Sequence, residues 1–89
     1  MKNYTWNYIE QTVNEETEEA IEVSHTVALR CSFFSGKAIV TIDGTEFDIS
    51  TRPLALRGTS QVFRLGDTPA ILDFPKKGDP AVIVDGERL

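Results

Sequence analysis

Along most of the chain, apolar and polar residues alternate with a period near two, the spacing of strands that bury one face. Tyr4, Trp6 and Tyr8 alternate with Thr5 and Asn7 and predict a first strand. From Ile21 to Cys31 the apolar positions Ile21, Val23, Val27, Leu29 and Cys31 alternate with polar ones, so residues 20–31 read as one long strand with His25 on its apolar face. Lys37–Asp43 and Thr45–Ser50 flank Asp43-Gly44, a pair suited to a tight hairpin turn because both central residues need positive φ. With these as the turn residues, Ile42 faces Thr45 and Val40 faces Phe47. Val40, Ile42, Phe47 and Ile49 then share one face, opposite Thr41, Glu46 and Asp48. Further strands are expected over Leu54–Arg57, Gln61–Leu65, Ala70–Phe74 and Ala81–Asp85, separated by Gly-, Pro- and Asp-containing turns.

Short connections and a uniform period near two predict an all-β domain over residues 1–89, an antiparallel β-sandwich of seven or eight short strands. Residues 10–20 are polar and Glu-rich and read as an acidic loop. A short helix is the alternative there, since Thr12 and Glu15 have capping-box spacing, although Glu15–Glu19 and Glu18–Glu22 would place like charges one turn apart. There is also an internal echo at an offset of 42 residues, which superposes Asp43-Gly44 on Asp85-Gly86, Val40 on Val82 and Ile42 on Val84. Two similar hairpin units, or the ordinary likeness of any two hairpins with Asp-Gly turns, would both produce it.

Charge narrows the classes of partner. Six acids against Lys2 give residues 1–24 a charge of −5, while residues 25–89 balance eight acids with eight bases. Such a chain is a poor ligand for nucleic acid or anionic lipid, so neither a nucleic-acid nor a membrane partner is expected. No apolar run approaches the roughly 20 residues of a membrane helix, and the N-terminus lacks the apolar core of a secretory signal. Cys31 is the one cysteine, which fits a reducing compartment, and the expected location is cytoplasmic.

The residues His25, Ser35-Gly36-Lys37, Asp43-Gly44 with Glu46, Phe63, Leu65-Gly66, Ala70-Ile71, Val84-Asp85-Gly86 and Leu89 form a pattern that resembles the Fas apoptotic inhibitory molecule family. The resemblance covers roughly residues 25–89 and rests on turn and core positions. It implies a β-sandwich and an intracellular, non-enzymatic protein with no cofactor. In animals that family is associated with survival signalling and with protection against protein aggregation. The Glu-rich stretch at 14–22 and the single-domain length depart from the family's two-domain pattern.

Candidate chemistry is sparse. One histidine and one cysteine fall short of the ligand set of a zinc site. Six residues apart on one strand they sit about 20 Å from each other, too far for a nucleophile and its base. His25 is expected to be a partly buried structural residue, with a proton-linked switch as the alternative. Cys31, in register with Leu29 and Val27, is expected to behave as a buried small hydrophobe. Ser35-Gly36-Lys37 lacks the upstream glycine and following hydroxyl residue of a phosphate loop and reads as a turn. Asp43, Asp67, Asp79 and Asp85 neighbour glycine or proline, or occupy turns, and no calcium-loop spacing occurs. No catalytic, cofactor-binding or metal-binding residues are therefore assigned, and a non-enzymatic interaction module is the expected function. Its surface is placed at unpaired edge strands, with Tyr4, Trp6, Tyr8, Leu54 and Leu56 as candidate contacts for a partner protein or another copy of the chain. The alternative is a small-ligand or carbohydrate binder in which the same aromatics line an open face.

Overall fold

The computed structural model describes residues 1–89, and they form eight strands and no helix. These are β1 (Lys2–Val13), β2 (Ala20–Cys31), β3 (Ala38–Ile42), β4 (Thr45–Asp48), β5 (Thr59–Leu65), β6 (Thr68–Phe74), β7 (Ala81–Val84) and β8 (Glu87–Arg88). They make two four-stranded antiparallel meanders, β1-β2-β3-β4 and β5-β6-β7-β8. No helix is long and apolar enough to cross a membrane.

Local turn chemistry sets each hairpin. Asp43 and Gly44 have φ of +48° and +86°, the two left-handed residues of a type I′ turn, and their twist matches that of the flanking strands. The register is the one the sequence implies, with Ile42 opposite Thr45 and Val40 opposite Phe47. Asp85-Gly86 repeats the arrangement, with Val84 opposite Glu87. The 42-residue echo therefore corresponds to β3–β4 and β7–β8 occupying equivalent places in the two meanders. Between β5 and β6 the turn is Gly66-Asp67, with positive φ at the glycine alone.

The inner faces close over each other. Val27, Leu29, Cys31, Ala38 and Val40 from one sheet meet Leu65, Ala70, Leu72, Phe74, Val82 and Val84 from the other. Cys31 is fully buried, as its register implied, and burial raises its thiol above the ordinary value. Phe33 and Phe74 meet in a T-shaped pair at 6.3 Å between ring centres. Arg57 lies 3.9 Å over the Phe33 ring and donates hydrogen bonds to the carbonyls of Pro75 and Gly78.

Two expectations need correction. The segment read as an acidic loop over 10–20 is strand at both ends. β1 runs on to Val13 and β2 starts at Ala20, leaving only Asn14–Glu19 as the turn. Polar Gln11 and Thr12 acquire their extended form from cross-strand partners Glu22 and Ile21, a non-local cause that their own composition does not reveal. The helix alternative is likewise not adopted. Leu54–Arg57 is not a strand. Its backbone turns, with Leu54 at φ +62° and Ala55 donating to the carbonyl of Arg52, and Leu56 drops into the core at 2% exposure. Pro69, the second residue of β6, is accommodated without loss of a ladder hydrogen bond. Opposite Arg64 it sits at a non-hydrogen-bonded pair, and its missing donor would have pointed past the end of β7.

Twelve residues of strand span about 40 Å and seven span about 23 Å, so β1–β2 overruns the facing sheet. The molecule is accordingly elongated, 50 × 24 × 16 Å. The overhanging ribbon beyond Glu10 and Val23 has no sheet opposite it.

Candidate functional site

The two long sides of the sandwich differ. On the β1/β8 side the aromatics of β1 point inward: Tyr4, Trp6 and Tyr8 pack against the core, and Tyr4 stacks on Trp6 at 6.0 Å. The Tyr4 hydroxyl donates across the sandwich to Asp79, 3.3 Å away. Burial, with the Asp79 charge adding to it, holds the Tyr4 hydroxyl above its ordinary value. The sandwich is filled here, and these three aromatics do not form an open stacking face.

On the opposite side the sandwich gapes. β4 and β5 are both edge strands, and between them lies an apolar cleft of about 260 Å³. Val40, Ile42, Phe47 and Ile49 line it from one sheet, and Gln61, Val62, Phe63 and Leu72 from the other. The wall that β3 and β4 supply is the apolar face the hairpin register predicts. β4 has only four residues and nothing packs outside it, so Phe47 remains 47% exposed, whereas Val40, one strand further in, is buried. Val62, at 78%, is the most exposed aliphatic residue in any strand.

The registers also determine which main-chain groups stay free. From the hydrogen-bonded pair at a two-residue turn, alternate residues direct N–H and C=O away from the partner strand. In β5 these are Ser60, Val62 and Arg64; in β4 they are Glu46 and Asp48. No further strand pairs with either edge.

A second constellation stands at the base of the ribbon. His25 is 6% exposed and lies between two carboxylates, with Nδ1 2.6 Å from Asp43 and Nε2 3.2 Å from Glu10. The other oxygen of Glu10 accepts from the Asp67 amide at 2.9 Å and the Thr68 hydroxyl at 2.8 Å, tying the first sheet to the β5–β6 turn of the second. The other oxygen of Asp43 accepts from the Thr26 amide at 2.9 Å. No buried side-chain polar atom lacks a partner.

Ionised carboxylates only accept, so holding both requires both ring nitrogens of His25 to donate, which makes it an imidazolium. The hydrogen bond to Asp43 is the main cause that raises the His25 pKa above 6.5; burial opposes it, and the bond to Glu10 adds to the rise. Glu10 is held below its ordinary value chiefly by the Thr68 hydroxyl and then by His25. At Asp43 burial pushes upward, but the bonds from His25 and Thr26 outweigh it and the carboxyl lies below its ordinary value. Gly66 makes the approach of Glu10 feasible, because a side chain at that position would collide with the Glu10 carboxylate. Both imidazole nitrogens are spent on carboxylates and the Thr68 hydroxyl donates to Glu10, so the cluster acts as a clamp between the sheets.

The expected contact residues are thus dispersed. Tyr4, Trp6 and Tyr8 share the filled side, Leu54 protrudes at the end of the sandwich, and Leu56, buried in the core, is removed from any surface. Three groups that matter carry other roles in the sequence reading: Glu10 belongs to the acidic loop, Asp43 is a turn former, and Phe47 is one member of the hairpin's apolar face. Glu10 shares the even-numbered parity of Tyr4, Trp6 and Tyr8, a signal that places it inside once β1 continues. No family model, no curated protein and no solved structure matches the chain.

Proposed function

We propose that this protein is a non-enzymatic interaction module that takes an extended segment of a partner protein along the open β4/β5 side. The segment adds to the free edge of β5, its main chain bonding to Ser60, Val62 and Arg64, and alternate apolar side chains enter the cleft against Phe47 and Ile49. The cleft carries this reading: an apolar hollow and an unpaired strand edge occur together on one side of the sandwich, while the other side is filled by aromatics. The resemblance of residues 25–89 to the Fas apoptotic inhibitory molecule family is consistent with it and with a cytoplasmic, cofactor-free role.

The reading is tested with immobilised octapeptides that alternate Val or Phe with Thr, probed with the full chain and two variants. Val62→Pro removes an outward-pointing donor and leaves the ladder to β6 intact. Phe47→Lys charges the cleft wall. Micromolar binding by the natural chain that weakens at least tenfold in both variants is the expected result. Absence of binding to any alternating peptide, or binding indifferent to both substitutions, overturns the proposal.

A further inference from the structure

The long axis of the molecule separates its charges. The strands run between one end formed by residues 32–37, 49–58 and 75–80 and another formed by the ribbon tip and the turns at 43–44, 66–67 and 85–86. Seven of the nine Lys and Arg residues lie at the first end, Lys2, Lys37, Arg52, Arg57, Lys76 and Lys77 among them. The ribbon tip carries Glu15, Glu16, Glu18, Glu19 and Glu22 with no base. Whole-chain charge therefore understates the polarity, because the two ends have opposite sign.

Each end also exposes apolar surface. On the ribbon Ile21 is exposed on the inward-facing side with no sheet over it and Val13 is exposed on the opposite side, and an isolated two-stranded ribbon is marginal in water. At the basic end Phe34 is 80% exposed and Leu54 72%, and they are neighbours: the Leu54 amide donates to the Phe34 carbonyl at 3.2 Å. Leu54 is presented there by a left-handed backbone, a conformation that costs about 1–2 kcal/mol for a residue with a Cβ. Beside them is a hollow of about 520 Å³ bounded by Cys31, Phe33 and Phe34, with Lys2 and Arg57 at its rim. A hollow walled by Phe33 and Phe34 and flanked by bases complements in charge a ribbon tip fringed with acids.

We infer that the protein associates head to tail with further copies of itself, the acidic ribbon tip of one copy seating in the basic, Phe34-lined hollow of the next. The contact uses neither β4 nor β5 and stands apart from the cleft. Because its two surfaces differ, it is a heterologous contact, and repetition yields chains that lengthen with concentration rather than a closed pair. Salt shortens the reach of the attraction from about 10 Å at 0.1 M to about 3 Å at 1 M.

Sedimentation velocity on the full chain tests this at about 20 mM and about 0.5 M salt over a range of concentrations. The expected result is a mean mass that more than doubles with concentration at low salt and returns to the 9.9 kDa monomer at high salt. Two charge-reversed chains separate this arrangement from others: one carries Glu15→Lys, Glu16→Lys, Glu18→Lys and Glu19→Lys, the other Lys2→Glu, Lys37→Glu and Arg52→Glu. Every substituted side chain is exposed, so the core is untouched. Each chain alone is expected to stay monomeric, and an equimolar mixture to associate again, since the reversed tip of one matches the reversed end of the other. A natural chain that is monomeric at low salt, a reversed chain that still associates alone, or a mixture that stays monomeric overturns the inference.

Discussion

His25 is the residue on which pH acts. Protonated, it satisfies Glu10 and Asp43 together; neutral, it has one donor for two carboxylates. Its folded pKa lies above the ordinary 6.5, so its contribution to stability is complete below pH 6.5 and is lost as pH rises through the folded value. Glu10 and Asp43 behave oppositely. Their folded values are depressed, so their contribution is present above their ordinary 4.5 and 3.8 and is lost as pH falls through the folded ones. Thermal melting across pH 3–9 should therefore show greatest stability between about pH 4.5 and 6.5, with a decline on the alkaline side that His25→Gln flattens. Melting temperatures that climb steadily from pH 6.5 to 8.5 would refute the clamp. The parity of β2 made the burial of His25 readable from sequence, but neither of its partners was, because Glu10 and Asp43 reach it through pairing with β1 and across the β3–β4 turn.

At the level of elements, what is local was legible. The Asp43-Gly44 and Asp85-Gly86 hairpins follow from two residues each, and the register follows from the turn. What depends on distant partners was not legible. Gln11–Val13 are strand because Ala20–Glu22 lie beside them, and Leu54–Arg57 is a turn although its residues alternate. That misread segment supplies a comparison within three residues. Leu56 is wholly enclosed by the core, so Leu56→Ala should cost about 2–5 kcal/mol, whereas Leu54→Ala, on an exposed side chain, should stay within about 0.5 kcal/mol. Urea denaturation of the two variants checks this, and equal losses would show that the loop does not plug the core. The Thr59 hydroxyl, which donates to the Leu56 carbonyl at 2.6 Å, holds that plug in place.

For the whole molecule, the decisive feature is asymmetry between the sides of one sandwich. Inward-facing Tyr4, Trp6 and Tyr8 fill the β1/β8 side, while short β4 leaves Phe47, Ile49 and Phe63 around a cleft whose rim includes the unpaired edge of β5. Alternation along the chain identified both apolar faces, yet it could not tell which side would be left uncovered, since that depends on how the two meanders overlie. The open side tests the account most directly through amide hydrogen exchange on the full chain, with and without a soluble octapeptide that alternates Val and Thr. Strand addition at β5 predicts slowed exchange at Ser60, Val62 and Arg64, the residues whose amides face outward, with little change along β1. Exchange unaltered at those three amides, or slowed instead along Tyr4–Glu10, would contradict it.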